Sequence, residues 1–332
     1  MQLLLTVLPA FLFLFSGCGT VHEYRPVEIS LANEFTVDEP EYSGMAWAGQ
    51  NLVILPQFPD RFPGSQGGNL LSIPKKRIED YLTGKDVTPI IPNKIAFNDN
   101  RVLRAVPGFE GFEALFIDGN SVFLTIEAKE GEGRRGYIVS GTADWKLGKV
   151  HLNRLSLKQI RFDLFMPQMS FESLILWKNS LVAIYEANGR PVSDSPEAAV
   201  FDRELNQLQN LPFPSVEYRI TDATAVAPDE TFWIINYFYP REERLRPEVD
   251  PIADRYGQGP THTTEETVER LLQLSFHEDG LLLVERPPVQ LSLMEGKARN
   301  WEGIVRLDDR GFLLISDTYP RTIFSFVPLG PE

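Results

Sequence analysis

The chain has 332 residues, 43 % of them apolar, with a formal net charge of −14. This apolar share excludes a disordered chain. The acidic balance argues against nucleic acid as a partner, because phosphate backbones need Lys and Arg clusters. Cys18 is the sole cysteine, which excludes an intrachain disulfide.

In chain order, an apolar run from Leu3 to Phe15 leads into Phe15-Ser16-Gly17-Cys18. It is too short to span a bilayer comfortably and reads as a signal peptide over residues 1–17. Small residues before a lone cysteine predict lipid on Cys18. The expected product is an extracytoplasmic protein of a bacterial cell envelope, lipid-anchored to a membrane. An ordinary signal peptide or a buried N-terminal segment is the alternative. Residues 18–24 read as a tether and 25–332 as a single domain, and no later stretch is apolar for long enough to cross a membrane.

Val27 to Ala32 alternates like a strand. The hairpins that follow share one plan. Tyr42-Ser43-Gly44-Met45 leads to Gln57, and Phe112-Glu113-Ala114-Leu115 to Glu127. Phe171-Glu172-Ser173-Leu174 leads to Glu186, Thr221-Asp222-Ala223-Thr224 to Asn236, and Trp301-Glu302-Gly303-Ile304 to Asp317. The offset from the marked residue is fourteen in four copies and fifteen in the last. Between the hairpins lie further predicted strands: Asn69 to Ile73, Ile90 to Phe97, Gly136 to Gly141, Val150 to Leu157, Ala198 to Asp202 and Leu205 to Leu211. Pro74 to Leu82 reads as a short helix, with proline near its start. A charged, Pro-rich loop covers Pro240 to Glu266, and Val268 to Phe276 pairs with Leu281 to Leu291.

After the fifth hairpin only Thr322 to Val327 remains, so the last unit lacks an outer strand. Val27 to Ala32 can supply it, which removes exposed edges and ties the chain ends together. The reading is an all-β, five-bladed β-propeller whose last blade is closed by an N-terminal strand. An antiparallel sandwich would also use regular short strands, but does not require a repeating first hairpin.

In a propeller the first strand of each blade lines the central channel. Ser43, Glu113, Glu172, Asp222 and Glu302 should then converge near one mouth, with Gln57, Glu127, Glu186, Asn236 and Asp317 close by. Clustered, buried carboxylates repel, so either their pKa values rise or a cation sits among them. Oxygen-only donors in a wide ring favour Ca²⁺ over Zn²⁺ and Mg²⁺. A metal that only stiffens the fold is an equal alternative to a catalytic one; the further alternative is that the acids pair with amides or basic side chains and no metal binds. Every loop after a second strand carries arginine: Arg61, Arg134 and Arg135, Arg190, Arg241 and Arg244, and Arg321. Two sit in a shared string, Tyr239-Pro240-Arg241 and Tyr319-Pro320-Arg321. A cation ringed by arginines would hold an anionic ester and spread its transition-state charge. Single surface arginines more often pair with nearby acids. Candidate catalytic groups are Glu113, Glu302, Arg321 and His262; candidate substrate contacts are Arg190, Arg241, Arg321, Tyr239 and Tyr319. No G-x-S-x-G elbow or Gly-rich phosphate loop is present.

Ser43, Glu113, Glu172 and Glu302 on innermost strands resemble the calcium-activated nucleotidases (apyrases). This chain has Asp222 where that family has serine. Asn300-Trp301-Glu302-Gly303-Ile304 also resembles the esterase-like domain of phytase-related bacterial propellers. The resemblance implies a central Ca²⁺ and hydrolysis of a phosphate ester or anhydride beside it, with Pro240 to Glu266 as a partial lid. Two alternatives remain: a non-enzymatic cell-surface propeller that binds a protein or glycan, and a calcium-dependent esterase or lactonase. The expected partner is a small anionic substrate or a cell-surface molecule, and the expected state is a monomer.

Overall fold

The computed structural model describes residues 21–36, 41–62 and 67–330. The expected signal peptide, residues 1–17, and Cys18 lie outside them. The chain forms a β-propeller; its strands pair into four sheets, and the nine-stranded one carries the first two of the five repeats, joined where Lys149–His151 pairs parallel with Ala96–Asn98. The first runs Tyr42–Ala48, Asn51–Pro56, Asn69–Pro74, Asn93–Asn98, and the second Phe109–Asp118, Ser121–Glu130, Gly133–Asp144, Lys149–Leu152. The third runs Phe171–Trp177, Ser180–Tyr185, Glu197–Phe201, Leu211–Pro212. The fourth is Arg219–Ala223, Thr231–Phe238, Val268–His277 and Val289–Leu291, and the fifth Trp301–Arg306, Gly311–Ser316 and Phe324–Pro328. Each inner strand lies against the next, and the fifth returns to the first.

The hydrophobic residues explain this ring. Alternating apolar positions give each blade two apolar faces, and each face is buried against a neighbouring blade. Five buried clusters result among the described residues. One joins Val53, Leu55, Leu115 and Leu124 across the first two blades, and another joins Leu52, Ile54, Leu313 and Ile315 across the first and last. The aromatic residue that precedes four of the five marked positions is part of this packing. Tyr42, Phe112, Phe171 and Trp301 are all buried. Trp301 donates its Nε1–H to buried Glu269 at 2.7 Å, and Arg299 Nε donates to the same oxygen at 2.9 Å.

The N-terminal strand closes the ring. Val27 and Glu28 pair antiparallel with Phe326 and Ser325 of the last blade. The pairing is shorter than the stretch from Val27 to Ala32, because Leu31 instead bridges to Ile90 beside the first blade. The expected tether is corrected over its described part: Glu23 and Tyr24 add a parallel strand to Val289–Leu291 of the fourth blade. The short helix forms at Lys75–Leu82. Leu205 to Leu211 does not form a full strand, since Asp202 caps a tight turn by accepting from Glu204 N and Asn206 N. A helical turn at Pro251–Tyr256 inside the long loop was not anticipated; Asp250 caps it by accepting from Ile252 N and Ala253 N.

Candidate functional site

All five inner strands carry a β-bulge at the marked position. Pairing jumps from Tyr42 to Gly44, Phe112 to Leu115, Phe171 to Ser173, Ile220 to Ala223 and Trp301 to Gly303. In each case the inner strand spends one more residue than its partner. A bulge breaks the alternation and re-aims a side chain. The aromatic can therefore point between blades while its neighbour turns toward the axis.

The bulges feed a central cavity of about 370 Å³. Ser43, Glu113, Glu172 and Glu302 line it, joined by Gln57, Glu127 and Asp317 from the ends of second strands. Gln57 Nε2 donates to Glu113 Oε1 at 3.0 Å. Arg134 Nε donates to Glu127 Oε1 at 3.0 Å, and its Nη2 to Glu110 Oε2 at 2.9 Å.

Arg219 stands in the midst of these acids. Its Nε donates to Glu186 Oε1, and its Nη2 lies 3.4 Å from Glu172 Oε1 and 3.7 Å from Glu302 Oε1. Its Nη1 lies 3.6 Å from Glu242 Oε1 and 3.4 Å from Asn300 Oδ1. Asn300 Nδ2 passes the contact on to Asp317 Oδ2 at 3.3 Å. Asn236, from the fourth second strand, stays outside the cavity and donates to the backbone carbonyls of Glu217 and Arg219.

Burial sets the electrostatics. It pushes the carboxyls of Glu113, Glu172 and Glu302 well above the usual range, and neighbouring carboxylates add to the effect. Glu127 is pushed up to about 7, by burial first and then by Glu186, against the pull of Arg134. Burial alone would depress the Arg219 guanidinium, but Glu186, Glu172, Glu302 and Glu242 together hold it charged. Oε2 of Glu172, Glu186 and Glu242 has no hydrogen-bond partner among the described residues.

Several expectations are corrected. Asp222 does not join the cavity: its Oδ2 accepts from Ile304 N and its Oδ1 from Ala223 N, both at 2.7 Å. The short side chain thus pins two inner strands together. Ser43, Glu113, Glu172, Asp222 and Glu302 therefore do not form one donor set, and a guanidinium already stands between Glu172 and Glu302. Among the described residues no group of three or more acids, histidines or cysteines is arranged to hold a metal. The arginine rim also fails to gather. Of the seven rim arginines only Arg134 lines the cavity. Arg321 pairs with exposed Glu28 at 2.6 Å, Arg61 pairs with Glu41 at 3.0 Å, and Arg190 lines a different cavity. Arg241 is exposed and lines none of the described cavities.

His262 is buried in a latch: its Nδ1 is 2.9 Å from Glu23 Oε1 and its Nε2 accepts from Glu269 N at 3.4 Å. Both nitrogens are committed, so it cannot serve as base at the cavity. The long loop is pinned by this latch and by Arg270, which donates to Asp250 at 2.8 and 3.1 Å. Of that loop, Glu242 reaches the cavity wall. Tyr239 and Tyr319, by contrast, lie side by side. Their rings are edge-on at 6.1 Å and line an annex of about 200 Å³ that shares Arg219, Glu242 and Asn300 with the main cavity.

No family model matches the chain, and no curated protein matches it. Among solved structures it is similar to one described as showing that the GH130 family of mannoside phosphorylases contains glycoside hydrolases that target β-1,2 mannosidic linkages in Candida mannan. The two are 11 % identical over 98 % of each chain, with a TM-score of 0.52. It is also similar to CoXyl43, a β-xylosidase/α-arabinofuranosidase from a compost microbial metagenome. There the identity is 10 %, over 92 % of this chain and 96 % of that one, with a TM-score of 0.48. The first likeness bears on the propeller fold alone; the calcium-centred identity implied by the resemblance gains no support from it.

Proposed function

We propose that this propeller is a hydrolase that uses paired carboxyl groups on a neutral, polyhydroxylated substrate of the glycoside class. The observation that carries this is the Glu172–Arg219–Glu302 arrangement. Two buried carboxyl oxygens approach one guanidinium nitrogen, at 3.4 and 3.7 Å. One positive charge cannot stabilise both as anions, so their proton affinities separate. Glu302, the more distant, stays protonated and donates to the leaving-group oxygen. Burial raises Glu172 as well, but Arg219 approaches it more nearly, and we assign it the ionised role on the opposite face of the sugar, as glycoside hydrolysis requires of two flanking carboxyls. The remaining acids accept hydrogen bonds from substrate hydroxyls, and Tyr239 and Tyr319 offer ring faces for a second sugar. The same-fold neighbour described as a glycoside hydrolase agrees with this reading but does not establish it.

A panel of aryl glycosides and oligosaccharides, assayed on purified protein, tests the proposal. Glu302→Gln and Glu172→Gln should each lower kcat by about 10²-fold or more. The competing proposal is calcium-dependent hydrolysis of a phosphate ester or anhydride. Its support is the carboxylate excess, with Glu172 Oε2 and Glu242 Oε2 unpartnered; against it stand the diverted Asp222 and the resident guanidinium. Activity on p-nitrophenyl phosphate, nucleotides or phytate that EDTA abolishes would replace the glycoside reading, and EDTA-sensitive lactone cleavage would indicate the esterase. Inactivity on every substrate would favour a binding propeller. We further propose that Cys18 carries a lipid and holds the protein at the cell envelope; Cys18→Ala should then release it from membranes.

A further inference from the structure

We infer that the inner strands of blades four, five and one form an anion-binding nest of backbone N–H groups, which the chain fills with its own carboxylate, Asp222. Without that side chain, the nest takes a small carboxylate from solution. The residue after each marked position is small: Gly44, Ala114, Ser173, Ala223 and Gly303. Backbones can approach closely where side chains are small. A Cβ on Gly303 would stand 2.7 Å from Ile315 Cγ2, 3.2 Å from Met45 Cγ and 3.4 Å from the Gly44 backbone. A Cβ on Gly44 would in turn meet the Glu113 carbonyl at 3.5 Å. This approach brings amides of three strands to one carboxyl group. Ile304 N donates to Asp222 Oδ2 and Ala223 N to Oδ1, both at 2.7 Å. The Met45 amide draws the same group toward its ionised form.

Asp222 is 5 % exposed and is not among the residues that line the central cavity. Burial pushes its carboxyl up, as for any acid taken out of water. Its bonds favour the ionised form nonetheless. Every contact is an N–H donor, and among the described residues no acceptor and no basic side chain bonds it. A proton on either oxygen would have no bond to make. Both contacts also have the length of charge-assisted bonds, about 2.7–2.9 Å. Backbone dipoles therefore hold this charge in place of a counter-ion. The acids of the cavity are held otherwise: Glu113 meets the Gln57 amide, and Glu172 and Glu302 face Arg219. Blades five and one form the junction that completes the ring. The filled nest is thus a clamp on that junction.

The test is thermal unfolding of Asp222→Ala, Asp222→Asn and the unmodified chain, each with sodium formate, formamide or sodium trimethylacetate. It needs no substrate. Asp222→Ala should melt at least about 5 °C lower than the unmodified chain. Formate should restore at least half of that loss. Formamide, its neutral counterpart, and trimethylacetate, too bulky for the nest, should not. Asp222→Asn should also melt low, because its NH₂ group meets a backbone N–H, and formate should not help it, because the nest is full. Equal rescue by formate and formamide would reveal a filled void and overturn the inference. The same holds for equal rescue by formate and trimethylacetate, for no rescue by formate, and for a formate effect as large on the unmodified chain. An Asp222→Asn variant that melts with the unmodified chain would overturn it as well. If Asp222→Ala does not fold unaided, it is refolded from denaturant in each additive and followed by near-ultraviolet circular dichroism. Recovery in formate alone upholds the nest; recovery in none, or in all alike, overturns it.

Discussion

Four carboxylates share the guanidinium of Arg219, and one positive charge cannot neutralise four. The arrangement holds because the charge is central and each acid is fixed by its own strand or loop. Removing the cation should expose the cost. Arg219→Met leaves Glu186 and Glu172 buried without a counter-charge, and breaking a buried pair on one side costs about 3–5 kcal/mol. Denaturant unfolding should show that loss; an unchanged midpoint would mean the acids simply take up protons. Arg219 escaped the sequence reading for a local reason. Arginines were sought in loops after second strands, whereas Arg219 lies just before the predicted strand start at Thr221. Asp222 misled for a related reason. Fourteen-residue spacing reports that the hairpin recurs, not whether a short side chain in it reaches the axis or bends back to a backbone amide.

At the scale of elements, the bulge is the repeated device; the sequence shows the recurring hairpin around it, with an aromatic beside an acid in three copies, but not the extra residue itself. The arginine rim was not legible, since a loop arginine finds any nearby acid and sequence does not say which. The N-terminal segment is the other decisive element. Glu23 Oε1 accepts from Thr261 N and Oγ1, His262 N and His262 Nδ1. Burial works against the Glu23 carboxylate, but these bonds outweigh it and lower its pKa. Glu23→Ala should therefore cost about 1–3 kcal/mol, the penalty of leaving buried donors unsatisfied. Hydrogen exchange should quicken first across residues 257–264, and exchange that stays as slow as before would show that the latch is not needed there.

For the whole molecule, the acids make stability depend on pH in an unusual sense. Carboxyls with folded pKa values above the unfolded value stabilise fully below that unfolded value and lose the benefit as pH rises through the folded one. For Glu127 the window runs from 4.5 to about 7. At about 1.4 kcal/mol per unit, its share is about 3 kcal/mol. The melting temperature should fall as pH rises across that window, and Glu127→Gln should flatten that part of the curve. A melting temperature that rises from pH 5 to pH 7 would contradict the electrostatics described here.

The seam between Val27–Glu28 and Ser325–Phe326 has a consequence for biosynthesis. Its two sides are separated by nearly the whole chain. Blades one to four can pair strands as they emerge, but the ring cannot shut until the final strand, Phe324–Pro328, has been made. Long-range closure of this kind is slow and leaves apolar edges uncovered in the interim. The open horseshoe is therefore the vulnerable species. A chain shortened by its last strand should accumulate in that state, with Ile29, Leu31 and Phe35 deprived of the wall that covers them.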